Sequence, residues 1–425
     1  MRTSFYTCLA KIFNSRLAYV GLGMAIAYSV ALPPNRIYTY AEDASSTSET
    51  PTEEAAEDTT DAVPPLAPLV CPESSPALGL PAQDTQLFTN PTEKQALLAA
   101  IDHSLDYLRT PGSVTAYRDY AVEGITHGRV RRSLQRFRAL VTQSESAADL
   151  QQAVAQEFEF YQSIGSDKAG TVDFTGYFEP TYKASRTPDE TYRYPIYRRP
   201  PTLDAWAEPH PTRAELEGTD GLQADSGELA GLELAWLPDR IEAFLIQVQG
   251  SARLEMEDGS TLSVGYAGRT NYPYVSMGRA LIDDGIIAAE DLTLPVLLEY
   301  FEQNPKALDE YLPKNNRFVF FKETDGAPAT GSLGYPVTAG RSIATDKSVM
   351  PPGAIALINL PLPQRNEAGN LEASSTSRFV LDQDTGGAIK GAGRVDLFVG
   401  TGTEAGEIAG LINDTGELYY LLIKE

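Results

Sequence analysis

Near the end of the chain stands the segment Asp384-Thr-Gly-Gly-Ala-Ile-Lys-Gly-Ala-Gly-Arg-Val-Asp396-Leu-Phe-Val-Gly400-Thr-Gly402. Its glycines allow the backbone to approach a ligand closely. The second aspartate lies in the apolar run Val395–Val399, which predicts a strand. Partial desolvation raises the pKa of a carboxylate and suits it to proton donation. The pattern favours an active site, with turn or capping roles for both aspartates as the alternative.

A third aspartate stands in Thr338-Ala-Gly-Arg-Ser-Ile-Ala-Thr-Asp346-Lys-Ser-Val-Met-Pro-Pro-Gly353, where Pro-Pro-Gly predicts a turn. Further distinctive motifs are Phe174-Thr-Gly-Tyr-Phe-Glu-Pro180, Gln247-Val-Gln-Gly-Ser-Ala252, Tyr194-Pro-Ile-Tyr197, Tyr266-Ala-Gly268, Gly278-Arg-Ala-Leu-Ile-Asp283 and Asn316-Arg-Phe-Val-Phe-Phe321. Together, in this order, they resemble the MltA family of lytic murein transglycosylases, from about Leu87 to the C-terminus.

The resemblance implies a mainly β fold: a double-psi β-barrel domain with N-terminal helices and an inserted second β-barrel domain. The barrel domain would comprise residues 87–181 and 316–425, and the insert residues 182–315. Asp396 matches the catalytic position, supported by Asp384 and Asp346. Substrate-binding positions would be Thr175, Tyr177, Gln249, Gly250, Ser251, Tyr266 and Lys390.

The composition excludes several other functions. A net charge of −24 repels phosphate backbones, so nucleic acid is not a predicted partner. The Gly-rich turn after Val399 is like a dinucleotide fingerprint, but too few residues follow Gly406 for a complete βαβ unit, which excludes nucleotide binding. The three histidines, His103, His127 and His210, have neither triad nor ligand spacing. We predict no metal and no cofactor.

The N-terminal sequence predicts export. Basic residues precede an apolar run, Leu17–Leu32, so residues 1–41 are predicted to be a signal peptide or N-terminal anchor. Neither Cys8 nor Cys71 follows that run directly, as a lipid-anchoring cysteine would. Residues 42–86 are acidic and poor in large apolar residues, which predicts a disordered linker. The predicted location is the periplasm or cell envelope, and association with the outer membrane is left open.

Local patterns predict helices at 92–108 (with Thr92 as N-cap), 130–141, 147–162, 275–284 and 291–303, and a strand at 171–178. Alternation in Ala243–Ser251 predicts a strand that presents Gln247 and Gln249 to sugar hydroxyls, or a polar stripe facing solvent. The acidic segment Thr202–Glu233 is predicted to lie at the surface of the insert.

Carboxylates without a nucleophile or a metal suit glycosidic bond cleavage. A lytic transglycosylase needs only one, because the C6 hydroxyl of N-acetylmuramic acid attacks C1 intramolecularly. Ionised Asp384 and Asp346 nearby would raise the pKa of Asp396 further. Two alternatives stay open: a peptidoglycan hydrolase that uses Glu179 or Asp384 as base, and a non-catalytic, expansin-like wall-binding module. The predicted partner in each case is the glycan strand of peptidoglycan.

Overall fold

The structure is a computed structural model that describes residues 64–69, 83–118, 120–224, 227–289, 291–366 and 368–425. The predicted export segment 1–41 and most of the predicted linker lie outside these described residues. Among the described residues, no helix has both the length and the apolar character that a membrane span needs.

The helices are α1 (Gln86–Thr89), α2 (Pro91–Tyr107), α3 (Pro111–Ala116), α4 (His127–Gln143), α5 (Ala147–Glu157), α6 (Arg213–Glu217), α7 (Arg240–Gln249), α8 (Met277–Asp283), α9 (Leu294–Gln303), α10 (Leu308–Tyr311) and α11 (Thr403–Leu411). The strands are β1 (Leu66–Pro68), β2 (Phe158–Ser163), β3 (Val172–Glu179), β4 (Thr181–Ala184), β5 (Tyr194–Tyr197), β6 (Glu233–Leu237), β7 (Ser251–Met256), β8 (Thr261–Arg269), β9 (Val319–Glu323), β10 (Ser342–Ala344), β11 (Ile355–Arg365), β12 (Leu371–Asp384), β13 (Arg394–Thr401) and β14 (Asn413–Ile423).

A closed barrel holds the core of the fold. Within the described part of the chain, six strands pair in the cyclic order β14-β11-β12-β10-β13-β3 and back to β14. The pairs β13–β3 and β10–β12 are parallel, and α2, α4 and α5 contribute buried side chains to the barrel's hydrophobic cluster. The predicted mainly β fold with N-terminal helices is therefore confirmed.

Two helix predictions need correction at their ends. The helix predicted at 92–108 is α2, which begins at Pro91. Its N-cap is Asn90, whose side chain accepts a hydrogen bond from the Thr92 N–H (3.0 Å). The helix predicted to reach residue 162 ends at Glu157. The apolar residues that follow, Phe158–Ser163, form β2, because they pair with β14 on one side and with β1 on the other.

The linker prediction is wrong for residues 64–69 and 83–86. Leu66 is fully buried in β1, which pairs antiparallel with β2. Asp84 is also buried and pairs with Arg341 in the barrel, at 2.5 Å between Oδ2 and Nη1. Composition argued for disorder because the segment is poor in apolar residues, but one leucine and one paired carboxylate attach it to the barrel.

The insert contains a second, smaller β structure. One sheet has the order β4-β7-β8-β9, and β5 pairs with β6 in a separate ribbon. Single bridges, Ser185 to Trp236 and Arg198 to Phe321, join the ribbon to the sheet at both sides. The inner faces of the ribbon and of the sheet share one hydrophobic cluster, as a barrel requires. Since β9 pairs with β8, the insert's sheet extends to Glu323, beyond the predicted boundary at residue 315.

The strand predicted at 243–251 is wrong: Arg240–Gln249 is the helix α7. The Asp239 side chain caps its first turn by accepting from the Ile241 N–H (2.9 Å), and Gly250 ends it in the left-handed conformation at φ 81°. Apolar and polar residues alternate at the end of this helix, as they would in a strand. Gln247 is buried and accepts a hydrogen bond from Arg213 Nη2 (2.7 Å), so it does not face a groove.

The prediction that Thr202–Glu233 lies at the surface is also wrong in part. Leu203, Leu216 and Leu229 from this segment are buried against Phe318 and Phe320. The acidic residues dominate the composition of this segment, but the three leucines form a separate small core with the two phenylalanines.

Candidate active site

The strand β10 brings two of the three predicted aspartates to one end of the barrel. Ala344 pairs with Asp384 of β12 on one side and with Asp396 of β13 on the other. Since neighbouring strands lie about 4.8 Å apart, the two aspartate backbones are separated by roughly 10 Å. The chain between Asp384 and Asp396 therefore connects β12 to β13 across the intervening strand β10.

Asp396 has one hydroxyl partner and one cationic neighbour. The Thr175 hydroxyl on β3 donates to Asp396 Oδ1, and the register pairs the two residues directly. Arg394 Nη2 donates to the Thr175 hydroxyl (2.8 Å) and lies 3.7 Å from Asp396 Oδ1. The Asp396 side chain is 22% exposed. Burial raises its pKa, while Arg394 and Thr175 oppose that shift, so the group is suited to donate a proton.

Asp384 is held by three donors. Tyr177 donates its hydroxyl to Oδ2 (2.9 Å), and the N–H groups of Ser332 and Thr385 donate to Oδ1 (2.8 Å each). Burial raises the pKa of Asp384, and these hydrogen bonds act against that shift. Because every donor is aimed at the carboxylate, the arrangement orients Asp384 firmly.

Asp346 holds the glycine-rich loop through hydrogen bonds to its carboxylate. Its carboxylate accepts from the Gly391 N–H (2.8 Å) and from the Ser348 hydroxyl (2.7 Å). Burial would raise the pKa of Asp346, but these hydrogen bonds and the exposed Lys390 outweigh it and lower the pKa. The predicted repulsion of Asp396 by Asp384 and Asp346 is not found among the described residues. The pKa of Asp396 is raised by burial, and neither of the other two aspartates contributes to that rise.

Of the predicted residues of the insert, Gln249 and Gly250 lie at the end of α7, where Gln249 meets β3, and Ser251 begins β7. Gln249 Oε1 accepts a hydrogen bond from the Phe178 N–H (3.0 Å), so this amide connects the insert to the barrel. Gly250 has open space where a side chain would project, and Ser251 pairs with Gly265. Tyr266 is 50% exposed in β8. The geometry leaves Gly250, Ser251 and Tyr266 accessible to a ligand.

Tyr274 and Arg317 belong to this region and were not predicted. Tyr274 interacts electrostatically with Asp396, Arg394 and Arg317. The Arg317 guanidinium lies against Gly387 in the loop between the two aspartates, 2.6 Å from where a Cβ would stand. Arg317 stands in the motif Asn316–Phe321, which supported the resemblance but was given no site role, whereas Tyr274 stands in none of the motifs that the sequence singled out.

Comparison with known proteins matches both parts of the chain. Residues 173–322 match the MltA specific insert domain, and residues 341–422 match the 3D domain. The membrane-bound lytic murein transglycosylase A of Escherichia coli K12 is 35% identical over 263 residues, covering 61% of this chain and 68% of that protein. This chain belongs to the MltA family.

Another MltA relative and two solved structures agree. The Vibrio cholerae membrane-bound lytic murein transglycosylase A is 36% identical over 60% of this chain and 67% of its own length. The Agrobacterium tumefaciens membrane-bound lytic murein transglycosylase has a TM-score of 0.62 at 29% identity, covering 78% of this chain and 93% of its own. Escherichia coli MltA with bound chitohexaose also scores 0.62, at 26% identity, covering 85% and 95%.

This MltA-family chain has a fourth aspartate, Asp382, that was not predicted as a site residue. Asp382 is fully buried and forms an ion pair with Lys347. It also accepts from the Tyr420 hydroxyl (2.7 Å) and from the Thr345 hydroxyl (2.8 and 2.9 Å). The Lys347 charge acts on Asp384 as well, so this buried network lies directly behind the site.

Glu179, one of the two bases considered for hydrolysis, is occupied elsewhere in the MltA fold. Its Oε2 accepts from Arg253 Nε (2.9 Å) and from the Thr401 hydroxyl (2.8 Å), and the side chain is buried. It lies four residues along β3 from Thr175, a distance of roughly 13 Å at about 3.3 Å per residue. This position does not suit it to activate water at a bond protonated by Asp396.

Proposed function

We propose that this chain is a lytic transglycosylase that cleaves the β-1,4 bond between N-acetylmuramic acid and N-acetylglucosamine in peptidoglycan. Two lines of comparison support the substrate: relatives named as lytic murein transglycosylases, and a structural neighbour that holds chitohexaose, a β-1,4-linked oligosaccharide. The observation that carries the mechanism is Asp396, a part-buried carboxylate of raised pKa with a hydroxyl donor and a nearby guanidinium.

In this mechanism Asp396 acts first as acid and then as base. Its proton passes to the glycosidic oxygen, the C1–O bond breaks, and N-acetylglucosamine leaves with a free hydroxyl. The Asp396 carboxylate then removes the proton of the muramoyl C6 hydroxyl while its oxygen bonds to C1. The product is a 1,6-anhydro ring, Asp396 is again protonated, and no water is consumed. Intramolecular attack provides the high effective molarity that replaces a second carboxylate.

The surrounding residues orient this group and the sugar. Thr175 and Arg394 hold the Asp396 carboxylate after proton transfer, because both favour its ionised form. Asp384 accepts a hydrogen bond from Tyr177 and lies on the other side of β10 from Asp396. We assign substrate contacts to Tyr266, Ser251, Gly250 and Lys390, which are exposed or half-buried, and a connecting role to Gln249.

We further propose that the chain is exported and acts in the cell envelope, where its substrate lies. This rests on the N-terminal apolar segment and on relatives named as membrane-bound.

Purified protein that retains residues from 64 onward, incubated with sacculi in H₂¹⁸O, tests the reaction. Residues 64–86 should be kept because Leu66 and Asp84 are buried. We expect 1,6-anhydro-muramic acid ends without ¹⁸O by mass spectrometry, and none from Asp396→Asn. Asp414→Asn is the matched control, since Asp414 is another aspartate whose pKa is raised by burial. Reducing ends that carry ¹⁸O would instead establish a hydrolase, and binding without products would establish a wall-binding module.

A further inference from the structure

Two arginines in the insert, Arg269 and Arg317, lie near the candidate active site and form no ion pair with any acidic residue that the structure describes. In the described residues, the Arg317 side chain forms neither a hydrogen bond nor an ion pair. Within the same part of the chain, the Arg269 side chain donates only to backbone carbonyl oxygens, those of Thr270 (2.8 Å) and Tyr272 (3.5 Å). The protein carries 58 acidic residues and a net charge of −24. In so acidic a protein, guanidinium groups that form no ion pair with a carboxylate indicate positive charge that is available to bind an anionic ligand.

The β8–β9 ladder places these arginines beside each other. Arg269 pairs with Val319, and the Thr270 N–H donates to the Phe318 carbonyl (2.9 Å), which continues the ladder towards Arg317. Arg269 and Arg317 are therefore diagonal neighbours, roughly 7–8 Å apart across the two chain segments. Burial and the charge of Arg269 lower the pKa of Arg317, which agrees with their proximity. A bound anion would relieve this repulsion.

The pair adjoins the loop between Asp384 and Asp396. Gly387 leaves the space that the Arg317 guanidinium occupies: a Cβ there would stand 2.6 Å from Cζ and 2.9 Å from Nη2. Tyr274 interacts electrostatically with both Arg317 and Asp396, and Tyr266 interacts with Arg317. Arg317 thus lies against the loop that leads to Asp396, the residue to which the proposed function assigns the cleavage.

We propose that Arg269 and Arg317 form an anion subsite that binds a carboxylate on the O3 substituent of a muramoyl residue. This inference rests on the proposed function. A guanidinium pair matches a carboxylate in charge and in planar hydrogen-bonding geometry. The muramoyl O3 carries a lactyl group, whose carboxylate is free in stem-less strands; in stem-bearing strands the peptide supplies carboxylates. An oligomer of N-acetylglucosamine such as chitohexaose carries none.

Binding measurements on the full chain with Asp396→Asn, which cannot cleave, test the subsite. The probes are chitohexaose, stem-less glycan strands and stem-bearing strands, each at low and high salt. We expect Arg317→Met to weaken binding of at least one carboxylate-bearing probe roughly tenfold or more, with chitohexaose unchanged within about twofold. The affected probe identifies the lactyl or the peptide carboxylate as the ligand. Raising the salt concentration should diminish the difference.

Matched variants separate charge from folding. Arg317→Lys keeps the charge and should retain part of the affinity. Gly387→Ala should weaken the same probe without removing the arginine, because the new methyl group displaces a flexible guanidinium. Arg132→Met, which removes an exposed arginine paired with Glu425, should change nothing.

Equal losses for chitohexaose and for both charged probes would overturn the subsite, as would no loss for any of them. Either result leaves the proposed function standing if the unmodified chain produces anhydro ends. Absence of cleavage by the unmodified chain would refute the function, while the affinities would still decide whether the arginines bind a carboxylate.

Discussion

Replacing Thr175 by Val removes the hydroxyl that donates to Asp396 while keeping the shape of the side chain. In the structure this hydroxyl also accepts from Arg394 Nη2 (2.8 Å), so it connects the guanidinium to the carboxylate. Both groups favour ionised Asp396 and oppose the effect of burial on its pKa. Their removal must therefore raise the pKa of Asp396 further.

The size of the change follows from the hydrogen bond. A hydrogen bond to a charged group contributes about 1.5–3 kcal/mol, and the lower end applies because the Asp396 side chain is 22% exposed. At 1.36 kcal/mol for each pKa unit, the pKa should rise by about one unit. A general acid must be protonated, so activity falls as pH rises through its pKa. The alkaline limb of the kcat/KM profile should move to higher pH by about one unit.

The assay is release of anhydro-muropeptides from sacculi between pH 4 and 9. Arg394→Met should move the alkaline limb in the same direction, because it removes a charge that lowers the pKa of Asp396. Thr376→Val, a buried threonine far along β12, is the control and should leave the limb in place. A limb that stays fixed in both site variants, or moves to lower pH, would refute the assignment of Asp396 as the acid.

Lys347→Met should lower the free energy of unfolding by about 3–5 kcal/mol at pH 7, since the buried Asp382 loses its counter-ion. Adding Asp382→Asn should recover much of that loss in denaturant titrations; equal stability of the single and double variants would contradict the pairing. Asp396→Asn should raise the free energy of unfolding at pH 7, because the folded pKa of Asp396 is raised. That gain should disappear below about pH 3.9, the unfolded value; a gain that persists there argues against burial as the cause. Leu66→Ala should cost about 2–5 kcal/mol, and a loss under about 0.5 kcal/mol would show that β1 is dispensable.

Segments with one local pattern could be predicted from the sequence. The run Val395–Val399 forms β13 around Asp396, and the apolar spacing in 130–141 lies inside α4. Such elements depend on neighbours within a few residues, and their residue types agree with the final structure. The matching motifs likewise identified the family through Asp384, Asp346 and the glycine-rich loop.

Where local pattern and tertiary context disagreed, the sequence misled. Arg240–Gln249 alternates like a strand but is a helix, because Asp239 and Gly250 cap it and its apolar residues pack between two cores. Leu66 lies in a segment whose composition predicts disorder, and only its pairing with β2 orders it. These outcomes depend on partners distant in the chain, which no short window contains.

The identity of the candidate acid, the loop that carries it and the family were thus determined by the sequence alone. Only the tertiary structure decided what surrounds that acid: Thr175 on a parallel strand, Tyr274 from the insert, and Arg317 against Gly387. The reason is physical. A residue's type and its neighbours in sequence set its intrinsic chemistry, but its desolvation and electrostatic partners arise where strands that are far apart in sequence meet.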